Sequence, residues 1–200
     1  MWRLRCAHAA ESNDTRKESQ LEKSTVLIAV FAALIAALGL IPQFTLAFGV
    51  PITAQSLGIM LCGTVLGSKR GGAAALLFIV LTLAGLPFLS GGRGGLGLVA
   101  GPSVGFIIGF PIAAFVTGWI MGRLTFNVLT SAIVAAFTGG IIALYIPGVI
   151  GMAIALNKTL IEATMLVSAF VIGDLVKIVI CGFVTQAIYR AQPDKLLSRA

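Results

Sequence analysis

The chain is 200 residues long, 58% hydrophobic and only 10% charged, with a mean hydropathy of +1.04. Soluble chains carry about 25% charged residues, so the composition excludes a water-soluble domain and describes an integral membrane protein. The net charge of +7 is not the mark of a nucleic-acid binder, because the basic residues sit between apolar runs, where they set membrane orientation.

A spanning helix needs about 20 apolar residues, which leaves room for about six with short connections. The apolar stretches are continuous, so the alternation of an outer-membrane barrel is absent. Cys6, Cys62 and Cys181 are isolated in sequence and indicate neither a metal site nor a disulfide framework. The lone His8 lies in a polar tail and reads as solvated.

Residues 1–24 form a mixed-charge N-terminal extension, flexible or partly helical, with no signal-peptide pattern. The first span covers about Thr25–Ile41. It carries Ala29, Ala33 and Ala37 at four-residue spacing, with Ala32 and Ala36 interleaved. Small residues so spaced flatten one helical stripe and let another helix approach closely. That helix belongs either to the same bundle or to a partner protein.

An uncharged linker, PQFTLAFGVP, precedes a second span at about Ile52–Gly67, which opens with the polar Thr53 and Gln55. SKRGG is a basic connection to the third span, about Ala73–Leu89. There follows LPFLSGGRGGLGLVAGPSVGF, Leu86 to Phe106, with seven glycines and one charge, Arg93. Dense glycine permits positive φ and close backbone approach. The segment lacks the lysine and hydroxyl of a phosphate loop, so it reads as a compact lid or wall that brings Arg93 over a pocket.

The fourth span is about Ser103–Met121. The fifth, about Val128–Ile150, is interrupted at Gly139-Gly140 and around Tyr145-Ile146-Pro147-Gly148. After the connection MAIALNKTLIEA the last span runs about Ala163–Tyr189 into a basic tail, 191–200. With both termini in the cytoplasm, eleven basic residues lie inside, and only Arg93 and Lys158 fall in outer loops. This is a positive-inside pattern, and it turns the glycine-rich loop outward.

Asp174 and Lys177 are the formal charges deep in an apolar span. Each such group costs about 2.5–3.5 kcal/mol on insertion scales, which marks it for function. Three residues apart on a helix, they can pair. The pair either locks helix packing or lines a polar pocket. In a pocket, a carboxylate that accepts N–H and an ammonium that donates suit a neutral urea-like or amide-like head. Arg93 suits a carboxylate on the same ligand. No nucleophile elbow, no histidine in a span and no acid–base carboxylate pair point to catalysis.

With these residues in view, the chain resembles the BioY family of biotin transporters, the substrate-binding components of energy-coupling factor transporters. The resemblance covers about residues 25–190. It rests on VPITAQSLGIMLCGTVLGSKRG, on LAGLPFLSGGRGGLGLVAGPSVGF, and on GDLVKI in the last span. Where the family has PFIPGD this chain reads AFVIGD, and GPTGGY reads GPSVGF.

The resemblance implies an all-α bundle of six transmembrane helices with both termini cytoplasmic and a biotin pocket open to the outer side. It further implies a transmembrane coupling protein and cytoplasmic ATPases as partners beside the lipid bilayer, and no cofactor. The expected substrate-binding residues are Arg93, Asp174, Lys177, Gly92, Gly94, Tyr145 and Gln55. The expected partner interface is Ala29, Ala33 and Ala37, with no catalytic or metal residue. A component for another small vitamin is the first alternative. An intramembrane enzyme or assembly factor is the second.

Overall fold

The computed structural model describes residues 2–45 and 51–199, with side chains from residue 18 onward except 19, 44, 45 and 51. Residues 46–50 of the linker and the side chains of Arg3, Arg5, Cys6, His8, Arg16 and Lys17 lie outside the described set.

Helix dominates. The elements are α1 (Trp2–Leu38), α2 (Gln55–Leu66), α3 (Ser68–Leu83), α4 (Val104–Arg123), α5 (Val128–Phe137), α6 (Leu144–Leu156) and α7 (Leu160–Ala191). Between α1 and α2, β1 (Phe44–Thr45) and β2 (Pro51–Ile52) form a small antiparallel ribbon. The helical end of the N-terminal extension is continuous with the first span, since α1 has no break between them.

Four helical segments among the described residues are long and apolar enough to cross a membrane: Gln20–Leu38, Val104–Arg123, Val128–Leu156 and Leu160–Ala191. The central helix is instead α2, which has 12 residues, all buried but Leu57. Twelve residues rise only about 18 Å. Enclosed by α1, α3, α4, α5 and α7, α2 meets protein rather than lipid. A helix apolar on all sides needs such surroundings.

Several connections are shorter than the sequence suggests. SKRGG is not a loop but the first turns of α3, and the chain reverses at Gly67 alone, with φ +83°. The apparent break at Gly139-Gly140 is a π-helical stretch, Thr138–Ala143, inside a continuous span. Pro147 lies within α6. Only three residues separate the end of α6 from the start of the next helix. Asn157 takes the left-handed conformation at the C-cap of α6, and Thr159 forms a capping box with Glu162 at the start of α7. Asn-Lys-Thr thus serves to stop one helix and start the next.

The basic tail folds back on the bundle. Leu196 is buried, the Ser198 N–H donates to the Val65 carbonyl at 3.1 Å, and the Ser198 hydroxyl donates to the Thr64 carbonyl. Arg199 reaches the carbonyls of Leu124 and Phe126 and the Ser131 hydroxyl.

Candidate ligand-binding site

Asp174 sits mid-way along α7, a largely lipid-accessible helix that turns this residue inward. Its side chain is 6% exposed, and Lys177 Nζ lies 2.8 Å from its Oδ1. Ser56, in the first turn of α2, joins the two: its hydroxyl donates to Asp174 Oδ1 at 3.1 Å and accepts from Lys177 Nζ at 2.9 Å. Tyr145 of α6 donates to Asp174 Oδ2 at 2.6 Å. The expected pair therefore exists, inside a four-residue network drawn from three helices.

What this network leaves over is chemically specific. A carboxylate has about four acceptor sites and an ammonium three donors. Three of the carboxylate sites and two of the ammonium donors are used internally. One acceptor of Asp174 and one N–H of Lys177 remain for a ligand. A head group that presents an N–H beside a carbonyl uses both.

The cavity above this network has a volume of about 70 Å³, enough for several waters. Phe106 and Tyr145 meet edge to face with centroids 6.2 Å apart, and Phe106 and Phe170 at 5.8 Å, giving one wall an aromatic lining. Close helix approach makes this possible. A Cβ on Gly105 of α4 would lie 2.0 Å from the Pro147 carbonyl oxygen of α6, so only glycine lets Phe106 and Tyr145 come together.

Arg93 lines the same cavity from the loop between α3 and α4. Leu89 and Arg93 exchange two backbone hydrogen bonds, 3.0 and 3.2 Å, closing a tight reversal through Ser90-Gly91-Gly92. Gly91 and Gly92 take φ of +79° and +70° there. A Cβ on Gly94 would lie 2.2 Å from the Leu86 carbonyl oxygen. The two glycines expected to bind substrate, Gly92 and Gly94, thus shape the hairpin, and neither lines the cavity.

Arg93 Nε donates to the Ser90 carbonyl at 3.2 Å, and its two Nη groups have no partner among the described residues. Partial burial lowers its pKa from the ordinary value, but an arginine stays charged.

Gln55 lines the cavity, yet its amide is committed inward. Its Nε2 donates to the carbonyls of Ile35 and Phe88 at 3.2 and 2.9 Å, and its Oε1 accepts from the N–H and hydroxyl of Ser90 at 3.2 and 3.3 Å. It ties the hairpin to α1 and α2, which positions Arg93.

Ser103 is different. Just before α4, it is 9% exposed, lines the cavity, does not cap the helix, and its hydroxyl has no partner among the described residues.

Sequence reasoning thus brought Arg93, Gln55, Tyr145, Asp174 and Lys177 to one cavity and missed Ser56, Ser103 and the Phe106–Phe170 wall. A serine directly after Gln55 in an apolar run was the available signal for Ser56. The alanines lie elsewhere: Ala29, Ala33 and Ala37 are exposed on α1, whereas Ala32 on the other face is buried. They do not pack inside this bundle.

The profile of the BioY family matches residues 11–194. The chain belongs to the BioY family. Among its relatives, "Biotin transporter BioY" of Rhodobacter capsulatus is 48% identical over 189 residues, spanning 90% of this chain and all of that one. The protein of the same name from Rhizobium etli is 42% identical, spanning 86% of this chain and 95% of that one. Among solved structures, the S-component for biotin from an ECF-type ABC transporter superposes with a TM-score of 0.80 at 29% identity, covering 86% of this chain and 93% of that one.

Proposed function

We propose that this chain is the biotin-binding membrane component of a vitamin uptake transporter and not an enzyme. The observation that carries the reading is the unspent pair at Asp174 and Lys177: one acceptor and one donor, side by side, at the bottom of an aromatic-walled cavity. Biotin's ureido ring offers N–H and C=O in that arrangement, and its fused rings suit the Phe106–Tyr145–Phe170 wall. At the other pole Arg93 and Ser103 receive the carboxylate of the side chain, the first as a bidentate cation and the second as a hydroxyl donor.

The six spans of this reading are α1, α2, α3, α4, the α5–α6 segment and α7, with both termini cytoplasmic. Lys69, Arg70 and Arg123 cluster at the end of the bundle remote from Arg93, which supports a cavity open to the outer side of the cell membrane. Import then requires a transmembrane coupling protein with cytoplasmic ATPases, for which the exposed Ala29, Ala33 and Ala37 stripe provides a flat docking face.

Equilibrium binding of labelled biotin to the detergent-purified chain tests the reading, with riboflavin and thiamine as competitors. Saturable binding displaced by biotin alone is expected. Displacement by either other vitamin, or no saturable binding, overturns it.

A further inference from the structure

At the end of the bundle away from the ligand cavity, a second cleft of about 540 Å³ opens between the α2–α3 turn, the C-terminal end of α4 and the chain's C-terminal segment. Lys69, Arg70 and Arg123 line it, and no acidic residue does. Lys177–Asp174 is the one ion pair among the described residues, so these three cations lack a described carboxylate. An adjoining cleft, which Arg70 also lines, differs in carrying Glu22 and Asp194 beside Lys23 and Lys195.

The two arginines are held in place. Arg70 Nε donates to the Ser24 hydroxyl at 2.8 Å, which leaves its Nη groups without a described partner. Arg123 Cζ stands 5.1 Å from the centroid of the Trp119 ring, a geometry that orients the guanidinium by cation–π attraction.

The surface next to this cleft is apolar and continuous with it. Ile108, Ile112, Phe115 and Trp119 are all exposed on α4. Their spacing of four, three and four makes one stripe, and Arg123 follows four residues on. A cationic pocket at the end of an apolar stripe, with a tryptophan at the junction, matches an amphiphile with an anionic head. A soluble phosphate would use only half of it.

We propose that this cleft binds an anionic glycerophospholipid, its phosphate held by Lys69, Arg70 and Arg123 and an acyl chain lying along the α4 stripe. Arginine engages phosphate bidentately and lysine as a point charge. The inference does not depend on what the outer cavity binds.

The test uses the full chain in detergent with Trp2→Phe, so that Trp119 is the remaining tryptophan. Its fluorescence is titrated with phosphatidylglycerol or phosphatidylcholine brominated in the acyl chains. The anionic lipid is expected to half-quench at a mole fraction at least about five-fold lower, the equivalent of about 1 kcal/mol, which is what a single cation contributes near an anionic surface. Lys69→Gln with Arg123→Gln is expected to reduce the preference while circular dichroism and elution volume stay unchanged. If the double variant does not fold, Lys69→Gln alone must still reduce the preference. Equal quenching by the two lipids, or an undiminished preference in the folded variants, overturns the proposal. Displacement of the lipid by millimolar glycerol phosphate overturns it in favour of a soluble phosphate-ester site.

Discussion

Replacing Asp174 by Asn separates the two roles of the buried pair. The amide keeps the shape of the carboxylate but removes its charge, so Lys177, with a side chain 15% exposed, becomes a nearly buried cation without its counter-charge. Removing one partner of a buried pair costs about 3–5 kcal/mol, because the remaining charge is left uncompensated. Binding suffers separately. A hydrogen bond to a charged group contributes about 1.5–3 kcal/mol, which is a loss of about 10- to 150-fold in affinity.

A second variant distinguishes these effects. Asp174→Asn with Lys177→Met removes both charges, so no uncompensated buried charge is left behind. Thermal unfolding in detergent and equilibrium biotin binding are measured on the parent and both variants. The single variant is expected to lose both stability and affinity. The double variant is expected to regain the stability and stay defective in binding. Recovery of binding in the double variant would refute the assignment, since the pair would then matter only for packing the α7–α2 interface. Parent-like binding by Asp174→Asn would refute it outright.

Ser103→Ala is expected to weaken biotin binding about ten-fold, the lower range for a hydrogen bond to a charged group, while leaving the affinity for biotin methyl ester unchanged. An equal loss for both ligands would mean that Ser103 does not meet the carboxylate. Gly94→Ala forces a Cβ to within 2.2 Å of the Leu86 carbonyl oxygen; the hairpin is expected to distort, with faster proteolysis near residue 93 and weakened biotin binding. Parent-like binding and protease resistance would show that the hairpin geometry is not needed to present Arg93. Ala33→Trp places a bulky ring on the exposed α1 stripe, and reduced co-purification with the ATPase subunits at unchanged biotin binding is expected. Undiminished co-purification would remove that stripe from the docking surface.

Much of the membrane character is legible in composition, because a bilayer excludes charge so strongly that the few charges left stand out. Asp174, Lys177 and Arg93 could be picked from the chain for that reason. Helix boundaries were less legible. The glycines and the proline around 139–148 suggested breaks, but flanking helices let the chain absorb them as a π-helical stretch and an internal Pro147. SKRGG looked like a polar loop because its charges do not reveal that a single glycine at 67 suffices to reverse the chain.

What a side chain does with its polar atoms depends on neighbours distant in sequence, and here that separated residues that looked alike. Gln55 and Ser103 both read as polar residues at the edge of an apolar span. The fold spends all of Gln55 on Ile35, Phe88 and Ser90 and leaves the Ser103 hydroxyl without a partner among the described residues. The glycines of the loop divide in the same way, into those that turn the chain and those that permit contact.

The sequence by itself determined that the chain lives in a membrane, that it is built of helices, and which charges are out of place there, since those conclusions need only local hydropathy and the cost of burying charge. Only the tertiary structure decided that Ser56 and Tyr145 complete the Asp174–Lys177 network, that one donor and one acceptor remain unspent, and that the Ala29–Ala37 stripe faces outward. Each depends on the packing of α2, α6 and α7 or on which face of α1 the bundle covers, and contacts across 29 to 121 residues leave no periodic trace in the chain.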